Sequence, residues 1–275
     1  MKRYLSLAFT IPITLLITLF YTLAKTQGGM YFHGWANVLL WCCIGAGFIL
    51  SLFLGMRARN QMDNLSFATT WPLAFKVFSV VGGILFFLLG ILHLINGLEL
   101  SIHAKSTTLF PISYIGLGFL FMAGSFYCGL SPLPNSTRQA RDALFGMAIP
   151  LACIIRVLQL YFEVSSPRNS SVKLLLSLTY LLLALFFISD IRTTLGRTSV
   201  GYHFTIAPFA AMVSGGVALG EWISSLAAGT APIHGWADLL FLAFSFLLII
   251  YKGCFITATP ISTPTFQENE DTDIA

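Results

Sequence analysis

The sequence predicts an all-α, polytopic integral membrane protein: eight transmembrane helices as four helical hairpins, with the N- and C-termini both cytoplasmic. Three observations carry that prediction. Apolar residues make up 56% of the 275 and charged residues 9%, against about 25% charged in soluble domains. The apolar residues gather into eight stretches, each near the ~20 residues needed to cross a hydrocarbon core. Lys and Arg concentrate on alternate connections between those stretches. Mean hydropathy is +0.82. This composition excludes a disordered chain, a nucleic-acid binder and a disulfide scaffold, and the partner it demands is the lipid bilayer.

Span one, residues 5–24, is led by Lys2 and Arg3 in the manner of a secretory leader. Its apolar run is too long for one, and Lys25-Thr26-Gln27 follows in place of a small-residue cleavage site, so it is expected to be retained. Span two, residues 35–56, opens on His33-Gly34-Trp35-Ala36-Asn37 and carries Gly45 and Gly47. Span three, residues 73–97, carries Gly82, Gly83, Gly90 and Gly97, and Lys76 near its inner end can snorkel to the surface. Span four covers residues 109–131 and span five residues 143–164, the latter with Pro150 near its inner end. Span six, residues 174–191, ends on Asp190 beside Arg192, which reads as a solvated end group. Span seven, residues 204–227, is the least apolar; Ser214, Gly215, Gly216 and Gly220 follow Pro208, so it is expected to bend or unwind beside a site. Span eight, residues 236–257, opens on His234-Gly235-Trp236-Ala237-Asp238. Residues 258–275 read as a disordered, acidic cytoplasmic tail.

With the N-terminus in the cytoplasm, Lys2, Arg3, Arg57, Arg59, Arg138, Arg141, Arg192, Arg197 and Lys252 lie inside. Lys25, Lys105, Arg168 and Lys173 lie outside, nine against four. Trp35, Trp222 and Trp236 then mark the outer interface and Trp71 the inner one. The expected location is the plasma (cytoplasmic) membrane. Asn169-Ser170-Ser171 is a glycosylation sequon on the outer side. Cys42, Cys43, Cys128, Cys153 and Cys254 have no metal-ligand spacing and read as buried small apolar residues.

The chain matches itself. His33-Gly34-Trp35-Ala36-Asn37 parallels His234-Gly235-Trp236-Ala237-Asp238, and Phe9-Thr10-Ile11-Pro12 echoes Phe204-Thr205-Ile206-Ala207-Pro208. The first and last hairpins therefore read as copies of one unit. The same match also serves as a helix-start device, with Trp at the headgroups and Asn or Asp at the positive end of the helix dipole.

Ionisable residues at membrane depth cost about 2.5–3.5 kcal/mol each at a helix centre, which makes them functional markers. Span five carries Arg156, Gln159 and Glu163 on one helical stripe. Arg156 is expected to face the bundle interior and to pair with Glu221 of span seven, which like Glu163 lies thirteen residues after a proline. His93, His33, His234 and Asp238 gather at the same end.

The expectation is an outward-facing polar pocket around Arg156, lined by these residues, that binds or transports a small anionic or zwitterionic solute. One alternative is a scaffold or regulatory subunit meeting another membrane protein through its Gly-rich helix faces. Another is a metal-dependent membrane hydrolase using His33, His93, His234, Asp238 and Glu221. The chain has no His-Glu-x-x-His, Gly-x-Ser-x-Gly or P-loop. No catalytic residue, resident metal or cofactor is assigned.

Overall fold

The computed structural model of the chain describes residues 4–28, 34–67, 73–103, 109–130, 139–162, 170–195, 199–230 and 235–260. In chain order the elements are α1 (Tyr4–Gly28), α2 (Trp35–Gln61), β1 (Met62–Phe67), α3 (Leu73–His103), α4 (Leu109–Leu130), α5 (Gln139–Gly146), α6 (Ala148–Phe162), α7 (Ser171–Thr194), α8 (Val200–Ala228), α9 (Gly235–Phe255) and β2 (Ile256–Pro260). Among the described residues, eight helical stretches are long and apolar enough to cross a membrane. Most outrun their apolar cores, because helical backbone bonding continues into polar flanks as readily as in lipid.

The fifth stretch comprises two helices. Pro150 has no N–H to offer and its ring crowds the carbonyl four residues earlier, that of Gly146. The chain steps at Met147, whose N–H is shared between the carbonyls of Ala143 (3.1 Å) and Leu144 (3.2 Å), and α6 starts afresh at Ala148. The break expected in span seven is not there: α8 runs unbroken through Pro208. It is the best-buried helix of the bundle, with every residue from Pro208 to Ala218 buried. Helices α1, α2, α7 and α9 pack around it.

The glycines explain how those neighbours come so close. A Cβ on Gly216 would collide with Ile17 of α1, and one on Gly220 would stand 2.7 Å from Tyr21. A Cβ on Gly83 would stand 3.0 Å from the backbone of Gly129, where α3 and α4 touch. Gly82 faces Phe244, Gly90 faces Gly118 and Met122, Gly97 faces Ile115, and Gly47 faces Met212. These small-residue faces, which one alternative offered to a membrane-protein partner, pack against the chain's own helices; of those singled out, Gly45 alone has nothing close to it among the described residues. The outer surface is apolar instead, with Leu15, Val38, Ile49 and Phe119 turned outward as lipid contact requires.

The all-α expectation needs one addition. β1 and β2 pair antiparallel, Asn64 opposite Thr259 and Phe67 opposite Ile256, joining the segment after α2 to the segment after α9. Ile256-Thr257-Ala258-Thr259 is rich in β-branched residues, which favour a pleated strand. The ribbon takes in the first residues of the segment expected to be a tail; residues 261–275 lie outside the described residues.

Side-chain contacts sort the helix termini into two ends. Tyr127 of α4, Asp190 of α7, His203 of α8 and Lys252 of α9 meet at the ribbon end. The late turns of α1, α6 and α8 and the early turns of α7 and α9 carry the polar contacts of the opposite end, called here the pocket end. Between the ends lies a layer of rings. Phe86 sits 5.9 Å from Phe121, 6.5 Å from Phe187, 5.6 Å from Phe241 and 5.4 Å from Phe244, all four edge-on.

Candidate functional site

Each half of the site sits where its helix makes it. Arg156 and Gln159 lie one turn apart on α6, on the stripe that α6 buries. Asp238 lies in the first turn of α9, beside the positive end of the helix dipole, which favours a carboxylate there. Gly235 precedes it with a φ of 84°, a left-handed conformation that lets the chain turn sharply into the helix.

The two halves interlock. Arg156 Nε–H donates to Asp238 Oδ1 (3.1 Å) and Oδ2 (3.2 Å), and Nη2 donates to Oδ2 at 2.5 Å. Nη1 donates to Gln159 Oε1 (3.1 Å), and Gln159 Nε2 donates onward to Ser113 Oγ of α4 (2.7 Å). Tyr180 of α7 donates its phenol O–H to Asp238 Oδ1 (2.6 Å). Arg156 is 6% exposed and Asp238 3%. Four helices thus meet in one charge-neutral network, the arrangement that makes a buried ion pair tolerable.

This network forms one wall of an open pocket of about 220 Å³. The rest of the lining is Leu92, His93 and Asn96 of α3, Tyr114 of α4 and Gly235, Trp236 and Ala237 of α9. His93 lies flat on Phe121, ring centroids 5.3 Å apart. Its Nδ1 is buried with no hydrogen-bond partner among the described residues. Buried polar atoms are rarely left so.

The structure therefore brings Arg156, Gln159, His93 and Asp238 together and sends Glu221 elsewhere. The expected Arg156–Glu221 pair is replaced by Arg156–Asp238. Glu221 takes Lys25 Nζ at 2.9 Å and the O–H of Tyr21 at 2.7 Å, both on α1. The cause is the Gly216/Gly220 face, which seats α8 against α1 and aims Glu221 that way. Glu163, His33 and His234 lie outside the described residues, as does Asn169 of the sequon. Ser170 of that sequon caps α7, its hydroxyl accepting from Lys173 N–H at 3.2 Å.

Asp190 is also corrected. It was expected to be a solvated end group, but its exposure is 0%. It is paired with Lys252 and accepts the O–H of Tyr127 at 2.7 Å. His203 shares a hydrogen bond with Ser189 beside it, at 2.9 Å. Cys42, expected to be buried, is exposed on α2, while Cys128 and Cys153 are buried.

The sequence reading missed Tyr180, Ser113, Asn96 and Tyr114 of the pocket end. A tyrosine within an apolar run looks like packing until its hydroxyl is seen to meet a charge. Among the described residues the three buried carboxylates follow one rule, each accepting a phenol O–H and pairing with one cation. Among the described residues no three His, Cys, Asp or Glu side chains converge as metal ligands would. Comparison with family models, with curated proteins and with solved structures found no match to this chain.

Proposed function

We propose that the protein is a membrane-embedded binding protein and transporter for a small anionic or zwitterionic solute. Its site is the pocket at Arg156 and Asp238, facing away from the cytoplasm in a cell's bounding membrane. The orientation rests on the nine-to-four Lys and Arg bias, which puts the pocket end outside. One observation carries the binding reading. The buried Arg156–Asp238 pair walls an open pocket beside His93, whose Nδ1 lacks a hydrogen-bond partner among the described residues. A solute that draws the imidazole round toward the pocket and supplies one donor or acceptor relieves a desolvation cost of about 1–3 kcal/mol.

The pair also suits exchange. A solute carboxylate or phosphate takes the guanidinium fork in place of Asp238. Asp238 keeps Tyr180 as a donor meanwhile, and a solute ammonium restores its lost charge partner. Tyr114 and Trp236 line the same pocket and bring aromatic rings within reach of that cation.

The test is a panel of glycine, glutamate, succinate, phosphate and phosphoethanolamine, read by thermal shift on purified protein and by uptake into proteoliposomes. At least one compound should stabilise the wild type, and Arg156→Leu should abolish both effects while still inserting. His93→Phe, which keeps the ring packing, should weaken the same compound. Unchanged binding in both variants overturns the reading.

A further inference from the structure

The polar pocket has an apolar neighbour. A groove of about 290 Å³ runs between α8 and α9, lined by Ala218 and Trp222 on one side and by Leu239, Ala243 and Leu247 on the other. Trp236 lines both cavities, so one indole forms a wall shared by the charged pocket and the groove. Small side chains at Ala218 and Ala243 leave the depression open. Trp222 and Trp236 are about half exposed at the pocket end, and Trp in that position marks the depth of lipid headgroups.

The dimensions fit one leaflet. From Trp236 to Leu247 the groove follows eleven residues of α9, about 16 Å at 1.5 Å per residue. That is about half of a ~30 Å hydrocarbon core. A water-soluble solute explains the pocket and leaves the groove without a purpose. A molecule with a charged head and a hydrocarbon chain explains both, and its head would stand at the level where lipid headgroups stand.

Resting on the pocket reading above, we propose that pocket and groove are one site and that its occupant is a single-chain membrane amphiphile with a zwitterionic head. The phosphate of the head meets Arg156, its ammonium meets Asp238 and the face of Trp236, and its chain descends along α9 past Ala243. The head supplies binding energy and selectivity. The chain adds orientation more than affinity, because it leaves one apolar surrounding for another.

The experiment uses the full chain in phosphatidylglycerol nanodiscs and two probes. Glycerophosphoethanolamine reports the head alone. Lysophosphatidylethanolamine with a diazirine at its chain end reports the chain by photolabelling, mapped by peptide mass. Label is expected on 239–247 of α9. It should fall roughly tenfold in Ala243→Trp, which fills the groove, and also in His93→Phe, which alters only the pocket, tenfold being the scale of one lost buried hydrogen bond. Glycerophosphoethanolamine should bind the wild type and Ala243→Trp alike. If groove labelling ignores His93→Phe, the chain there is ordinary surrounding lipid and the one-site inference falls. Should glycerophosphoethanolamine still bind in a His93-dependent way in that case, the pocket reading survives without it. If the head probe binds nowhere and labelling ignores both variants, both readings fall together.

Discussion

At the pocket end, Asp238 accepts from Arg156 and Tyr180; at the ribbon end, Asp190 accepts from Lys252 and Tyr127. The chemistry is the same, a buried carboxylate, cation and phenol, drawn from α6, α7 and α9 at one end and from α4, α7 and α9 at the other. The surroundings are not. Arg156 and Asp238 stand beside an open space that His93 also lines, whereas Asp190 is fully covered and lines neither of the cavities described. One carboxylate oxygen of Asp190 has no hydrogen-bond partner among the described residues. A buried ion pair is therefore no mark of function by itself, since pairs of this kind commonly do no more than fix how helices meet. What separates a binding pair from a clasp is an adjoining space that something can enter.

That contrast can be broken by substitution. The largest effect should come from Asp190→Leu, which strands the Lys252 ammonium in the bundle and should cost about 3–5 kcal/mol in unfolding measured in detergent. Adding Lys252→Met should return most of that loss and leave ligand binding untouched. At the pocket end the matching double variant, Arg156→Leu with Asp238→Leu, should also recover a stable fold. Yet it should lose solute affinity by roughly a hundredfold or more, as removal of a buried charged contact does. Equal loss of binding from both double variants would erase the distinction between the two ends.

Smaller changes sharpen it. His93→Phe removes a buried nitrogen without a partner, so the empty protein should gain about 1 kcal/mol in thermal unfolding while its ligand binds less well. A drop in stability instead would mean that His93 is satisfied at rest. Last come the phenols. Tyr180→Phe and Tyr127→Phe should each cost about 0.6 kcal/mol, the average for a hydrogen bond within a membrane bundle. Only Tyr180→Phe should shift ligand affinity in equilibrium binding.

Length and hydropathy alone made the eight crossings legible, because lipid imposes a fixed span of apolar residues and tolerates few charges within it. Arg156 and Gln159 were legible as a buried stripe for the same reason. Their partner was not. Sequence gives the depth of Glu221 and Asp238 along their helices, but not which helix lies beside which. That choice was made by Gly216 and Gly220, which give α8 to α1 and leave Asp238 to answer Arg156. Asp190 misled because a helix end in sequence looks like a surface, and nothing in residues 174–191 announces that Lys252 and Tyr127 will close over it. The step at Met147 and the unbroken run through Pro208 show that a proline does not fix its own outcome. A proline removes the same hydrogen bond in both places, and Pro12, exposed within an unbroken α1, shows that burial alone does not decide whether the helix yields.

The layer of rings around Phe86 separates the two charged ends with hydrocarbon and no described ionic group. Voltage across a bilayer drops over its apolar interior, and a stretch of that kind lies within it. Displacing one elementary charge through it exchanges about 2.3 kcal/mol per 100 mV, while a molecule of zero net charge exchanges none. If the proposed transport occurs, clamping the potential of a vesicle sorts anions from zwitterions as cargo, with the phenyl rings in the place of the dielectric of a very small capacitor.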